Sequence, residues 1–341
     1  MQSLYHIFIN SNKLIRFLLL GFCLFSVNAC HKPEHHNIQF YHWKTNVEIG
    51  EVEQTYFKQL NSTKLYIRFF DVDKQSGKIN PLAKIRSFDP VVLDAMYIPV
   101  IFITNRTFSD ISESQLEELT GNIDKLIEEI RIANQLPAIS EIQIDCDWTE
   151  RTKQIYFSFL ERLKQTTGKR ISCTLRLHQI KFRNKTGVPP VDKGYLMCYA
   201  TSEPTGNSDR NSILDMPLLK DYVSSINDYP LDFDVALPIY SWAIISNHLG
   251  NIKLINSVSV SDLDTAIFRS IDESHFELQK DYFFRGLYLN KGFILKVEGI
   301  SPELLQDAKL YLNEKIHRSY DIVYYHLDQS FLKQFTIQNL Q

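Results

Sequence analysis

The stretch EIQIDCDWTE, residues 141–150, decides how this chain is read. Ile142, Ile144 and Cys146 alternate with Gln143, Asp145 and Asp147, a strand-like period of two. Two carboxylates two residues apart fall on one face of that strand. A strand packed into plain apolar core on both sides would not place them there. One that turns its apolar face to covering helices, and its polar face into a barrel lumen, would.

The neighbouring sequence supports the barrel. IQFYHWKT (38–45), KLYIRFFDVD (64–73), YIPVIFITN (97–105), RISCTLRLHQI (170–180), KGYLMCYAT (193–201), DFDVALPIYSW (232–242) and DIVYYHLD (321–328) read as further strands. Helical patterns separate most of them. The clearest has Ser112 and Gln115 as a capping box, followed by Leu116, Leu119, Ile123, Leu126, Ile127 and Ile130 at helical spacing. Alternating strands and helices imply parallel pairing, and eight such units match a (β/α)8 TIM barrel, which takes about 250 residues; a doubly wound open sheet is the alternative. The surplus between the seventh and eighth strands, about residues 283–318, reads as a small α+β insertion, a hairpin and then a helix. The barrel is expected over residues 38–335.

On the fifth strand Ser172, Thr174, Arg176 and His178 are expected to face inward with Gln143, Asp145 and Asp147. A polar lumen at the carboxyl ends of the strands is where barrel active sites lie. Asp147, nearest the mouth, is the candidate general acid or charge stabiliser, with Asp145 tuning it. Asp145 also has a plainer reading, an ion pair with Arg176 or Arg68. Further acids at strand ends are Asp71, Asp73, Glu298 and Asp328.

Three segments carry a resemblance. IDCDWT (144–149), LMCYA (196–200) and ALPIYSW (236–242) resemble, in order, the fourth-, sixth- and seventh-strand signatures of the chitinase-like barrels of glycoside hydrolase family 18. The chain also resembles a bacterial lipoprotein barrel family of that superfamily without an assigned activity. The resemblance implies a glycan ligand, a role for Asp145 and Asp147, and substrate contacts from Met197, Tyr199 and Tyr240. Arg176, His178, Trp43 and Trp242 join them as candidate substrate-binding residues. The sequence departs from the pattern at Thr149, where the family places its catalytic Glu, at Ile142, its first acid, and at Ala200, its sixth-strand Asp. Glu150 is one residue late. These departures leave a glycosidase with rearranged acids, a non-catalytic carbohydrate-binding barrel and a structural envelope lipoprotein as the competing functions.

Composition narrows the setting. The 341 residues carry a formal net charge of -3, with 44% hydrophobic and 23% charged residues, which gives no basic excess for a nucleic-acid partner. The 17 Tyr and 22 Phe suit either a generous core or a ring-lined cleft. Lys13 and Arg16 precede FLLLGFCLFSVNAC, so residues 1–29 read as an export signal. VNAC (27–30) resembles a bacterial lipobox, which implies lipidation of Cys30, a tether over 30–37 and a membrane-anchored protein of the cell envelope facing away from the cytoplasm. Cys146, Cys173 and Cys198, an odd set within apolar runs, read as buried free thiols. No cofactor is implied, and no metal: His42, His178 and His326 could meet near the mouth, but without a recognised ligand spacing.

Overall fold

The structure is a computed structural model, and it describes residues 36–88, 93–205, 209–247 and 250–341. The expected signal, Cys30 and most of the tether lie outside the described residues.

Eight parallel strands close into a barrel: Ile38–His42, Lys64–Gln75, Met96–Ile103, Glu141–Asp145, Arg170–Arg176, Lys193–Met197, Phe233–Pro238 and Ile322–Tyr325. Closure is made by the first strand, which pairs with both the second and the eighth (Phe40 opposite Leu65, Ile38 opposite Ile322). The long second strand runs on into an antiparallel hairpin with Lys78–Leu82. Helices return the chain between most consecutive barrel strands; between the second and third the described residues form the Lys78–Leu82 strand instead. The helix Glu113–Ala133 begins with the expected capping box: the Gln115 N–H donates to the Ser112 hydroxyl at 3.2 Å, and its side-chain carbonyl accepts from the Ser112 N–H at 3.0 Å. Leu116, Leu119, Ile123, Ile127 and Ile130 are its buried stripe. The outward side chains of the fourth strand, Ile142, Ile144 and Cys146, are buried in the same core.

The inward side chains form hydrogen-bonded layers. Lowest, Glu141 accepts from the Ser172 hydroxyl at 2.6 Å and from the Tyr195 hydroxyl at 3.3 Å, and Tyr195 meets the Tyr66 hydroxyl at 2.7 Å. Above, the Tyr41 hydroxyl donates to Gln143 at 2.8 Å. Uppermost, the Thr174 hydroxyl donates to Asp145 at 2.6 Å. Buried polar groups are tolerable when partnered in this way.

Two expectations need correction. The fifth strand does not run to residue 180. It ends at Arg176, whose N–H is taken by the Gln179 side-chain carbonyl at 2.7 Å, and a short helix, Leu177–Lys181, begins there. Apolar alternation through Leu177 hid that local cap. The seventh strand likewise stops at Pro238, and the insertion is larger than residues 283–318. It starts at Trp242 with a five-stranded antiparallel sheet made by Trp242–Ser246, Ile252–Asn256, Phe268–Ser270, His275–Leu278 and Ile294–Glu298. A hairpin, Tyr282–Phe284 with Leu287–Leu289, completes it. One face of the sheet has its own apolar core, including Ala243, Ile245, Phe276, Leu278, Leu295 and Val297. The helix assigned to the insertion, Pro302–Lys315, buries Leu305, Ala308 and Leu312 in the barrel's core instead.

Candidate functional site

The carboxyl ends of the barrel strands open into a cavity of about 600 Å³. Each strand supplies side chains near its end: Tyr41 and Trp43 from the first, Arg68 and Asp71 from the second, Phe102 from the third, Asp145 from the fourth, Thr174 and Arg176 from the fifth, Met197 and Tyr199 from the sixth. Tyr240, Trp242, Asn256 and Ser257 come from the seventh strand's end and the insertion, and Tyr325, His326 and Asp328 from the eighth.

One side is a wall of rings centred on Tyr325. Its centroid lies 5.6 Å from Trp43, 5.5 Å from Tyr199 and 5.4 Å from Tyr240, and Tyr240 lies 5.3 Å from Trp242. These separations and tilts are those of favourable aromatic pairs. The Arg68 guanidinium sits over Trp43 at 5.7 Å from its centroid, within cation–π range.

The charged groups are sorted into pairs. Arg176 grips Asp147 through two contacts, one of them from Nη2 to Oδ2 at 3.0 Å. Arg68 grips Asp71 in the same two-pronged way, with Nε to Oδ1 at 2.7 Å. Lys44 pairs with Asp328, which also accepts from Ser330. Asp73 is held by Arg106 and by the Thr104 hydroxyl, which keep its carboxyl well below the usual range. Both arginines considered as partners of Asp145 are thus committed to other acids. Among the described residues, Asp145 keeps only the Thr174 hydroxyl as a bonded partner, with Arg176 nearby as a longer-range charge.

The consequence is a reversal of the expected electrostatics. Burial pushes the Asp145 carboxyl up to about 6, with Arg176 and Thr174 opposing and Asp147 adding to the rise. Asp145, the deeper acid, therefore holds its proton up to about pH 6, above the ordinary carboxylate range, while Asp147, half-exposed at the rim, is ion-paired.

Asp145, Arg176, Met197, Tyr199, Tyr240, Trp242 and Trp43 are brought together around the cavity. Asp147 reaches it through Arg176. His178 does not arrive: the turn after Arg176 puts it exposed on the short helix. His42 and His326 do meet, with ring centroids 6.4 Å apart, and burial lowers them to about 3 and about 4, leaving both neutral at pH 7. Thr149 is exposed in the loop after the fourth strand, its N–H bonded to the Thr152 hydroxyl at 3.0 Å. Glu150 is exposed beside it. Tyr325 and Tyr41 were missed by the sequence reading, although the alternation in IQFYHWKT and DIVYYHLD turns both inward. Asn256 and Ser257 carried no usable signal, because the strand that delivers them was not recognised.

The closed parallel barrel with a polar lumen and an aromatic cleft at the strands' carboxyl ends has a fold that solved chitinase-like barrels share. Among solved structures, the chain is similar to the spore cortex-lytic enzyme SleL of Bacillus cereus, at 16% identity over 89% of this chain and 72% of that one, with a TM-score of 0.53. It is similar to a chitinase from Chromobacterium violaceum at 12% identity over 90% of this chain and 99% of that one, with a TM-score of 0.55. At these identities the likeness establishes the fold alone. No family model and no curated protein matches the sequence.

Proposed function

We propose that this protein is a lipid-anchored lipoprotein of the bacterial cell envelope whose barrel binds a glycan in the aromatic cleft. The observation that carries the reading is the ring wall of Trp43, Tyr325, Tyr199, Tyr240 and Trp242 beside a cavity of about 600 Å³. Aromatic faces complement the apolar faces of sugar rings, and the hydroxyls, carboxyls and guanidinium groups nearby match sugar hydroxyls. The resemblance in the three strand motifs supports the same ligand class, as do the names of the two similar structures, a cortex-lytic enzyme and a chitinase. Export and anchoring rest on the sequence of residues 13–30, with Cys30 as the lipidated residue.

Binding is favoured over hydrolysis by the ion pairs. A glycosidase needs one carboxyl to protonate the leaving oxygen and a second group to activate or replace the nucleophile. Asp71, Asp147 and Asp328 are each neutralised by a fixed cation, and Thr149 stands where the resemblance places the acid. A hydroxyl is a poor proton donor at neutral pH. The second reading, a glycosidase with Asp145 as its acid, is favoured by burial raising that carboxyl to about 6, a value suited to general acid work.

One experiment separates these readings. The detergent-solubilised full chain is incubated with chitin, peptidoglycan and α- and β-glucans, and both retention and new reducing ends are measured. Retention without release is the expected result. Release that is abolished by Asp145→Asn would replace binding by catalysis. Neither retention nor release would remove both glycan readings.

A further inference from the structure

Glu298 lies outside the cleft, yet it holds part of the cleft's wall. It ends the strand Ile294–Glu298 and stands directly opposite Trp242 in the inserted sheet. Its side chain is 3% exposed. One carboxylate oxygen accepts from the Trp242 indole Nε1 at 2.8 Å and from the Ser212 hydroxyl. The other faces the Lys296 ammonium at 2.7 Å. Ser212 belongs to the loop that follows the sixth barrel strand. The adjacent Asn211 side chain donates to the Gly299 carbonyl at 2.8 Å, so the same loop is pinned at a second point.

We propose that Glu298 is a positioning residue that fixes the plane of the Trp242 indole against the cleft and ties it to the loop at 211–212. For its effect on ligand binding, the proposal rests on the glycan reading. An indole has a single polar donor, so one strong acceptor at Nε1 selects one ring orientation. The acceptor is itself immobilised by Ser212 and Lys296. A buried carboxylate with its counter-ion adds little net stability compared with apolar packing, and a sheet face meant only to pack would be served better by an aliphatic residue. The register neighbour of Lys296 on the strand of Trp242 is the buried Ile244, which packs there without such a device. A ring that must meet a sugar face gains from being held before the ligand arrives, because the ordering cost is then already met.

The test reads the indole first and the ligand second. In a full-length Trp43→Phe background, Trp242 is followed by acrylamide quenching and fluorescence anisotropy without any sugar, against Trp148, which is fully buried. Glu298→Ala is expected to raise quenching about twofold and lower anisotropy. Glu298→Gln, whose amide oxygen can still accept from the indole, is expected to restore both. In chains with native Trp43, calorimetric titration with an N-acetylglucosamine hexamer is expected to weaken about tenfold for Glu298→Ala and to recover in Glu298→Gln. Ser212→Ala removes one anchor of the carboxylate and leaves Glu298 and Trp242 in place, so it covers the case in which Glu298→Ala does not fold. It is expected to loosen the indole in the same direction. Unchanged quenching and anisotropy in the folded variants would overturn the proposal. Absence of hexamer binding by the native chain would remove the glycan reading for this sugar, and the indole measurements would still decide the role of Glu298.

Discussion

The barrel lumen and the inserted sheet bury their interiors by opposite means. The lumen is filled with groups that must find partners: Glu141 with Ser172 and Tyr195, Gln143 with Tyr41, Asp145 with Thr174. One face of the sheet packs Ala243, Ile245, Phe276, Leu278, Leu295 and Val297 against one another. Apolar packing stabilises through area removed from water, and hydrogen-bonded polar packing contributes far less net free energy. That face of the inserted sheet is built for stability, then, and the lumen for chemistry. The two meet at Trp242, which belongs to the sheet and lines the cavity.

The largest expected effect probes the sheet. Leu295→Ala leaves a cavity at a fully buried position and should destabilise the protein by about 2–5 kcal/mol in urea unfolding. A loss well below that would mean that the sheet's core is not the tight apolar layer described here.

The next effect probes the lumen and has the opposite sign at neutral pH. Asp145 rises from 3.8 to about 6 on folding, mainly through burial. Between those values the folded state holds a proton that the unfolded chain has released, so stability from this group is fully present below pH 4 and is lost as pH rises through 6. The span corresponds to on the order of 3 kcal/mol. Asp145→Asn should flatten stability between about pH 4 and 6 and leave the variant more stable than the native chain at pH 7. Urea melts at a series of pH values measure this, and an unchanged slope would show that Asp145 does not carry the proton.

A smaller effect belongs to the rim. Asp147→Asn weakens the grip of Arg176, but the pair is partly open to water, with side chains 25% and 46% exposed, so solvent screening limits the loss to about 1 kcal/mol. A loss of several kcal/mol at Asp147, together with none at Asp145, would exchange the roles given to the two acids.

The same contrast explains what the sequence made legible. The fourth strand declared itself because its apolar face, Ile142, Ile144 and Cys146, and its polar face, Gln143, Asp145 and Asp147, keep a strict period of two. The barrel followed from eight such strands and the helices between them. The charge pairing at the mouth was not legible. Arg68 and Arg176 were both available to Asp145 by position, and only the closed barrel shows that Asp71 and Asp147 take them. His178 was misplaced because a single side-chain cap at Gln179 outweighed a continuing apolar alternation. The inserted sheet was largely unread because its strands are short: Trp242–Ser246 with Ile252–Asn256 and Phe268–Ser270 with His275–Leu278 are local hairpins, but only Ile294–Glu298, arriving from farther along the chain, joins them into one sheet. Tyr325, at the centre of the ring wall, sits in a run of two tyrosines, and the barrel's inward face is what selects it over Tyr324.

The most direct test of the glycan-binding cleft compares these two regions again. Binding of the N-acetylglucosamine hexamer, or of an oligomer from whichever polysaccharide retains the protein, is measured by calorimetry for the native chain, Tyr325→Ala and Phe283→Ala. Phe283 is an exposed ring on the insertion's hairpin and serves as the control. The account predicts saturable binding by the native chain, a loss of about tenfold or more with Tyr325→Ala, and no change with Phe283→Ala. Equal binding by all three chains, or a loss confined to Phe283→Ala, would contradict it.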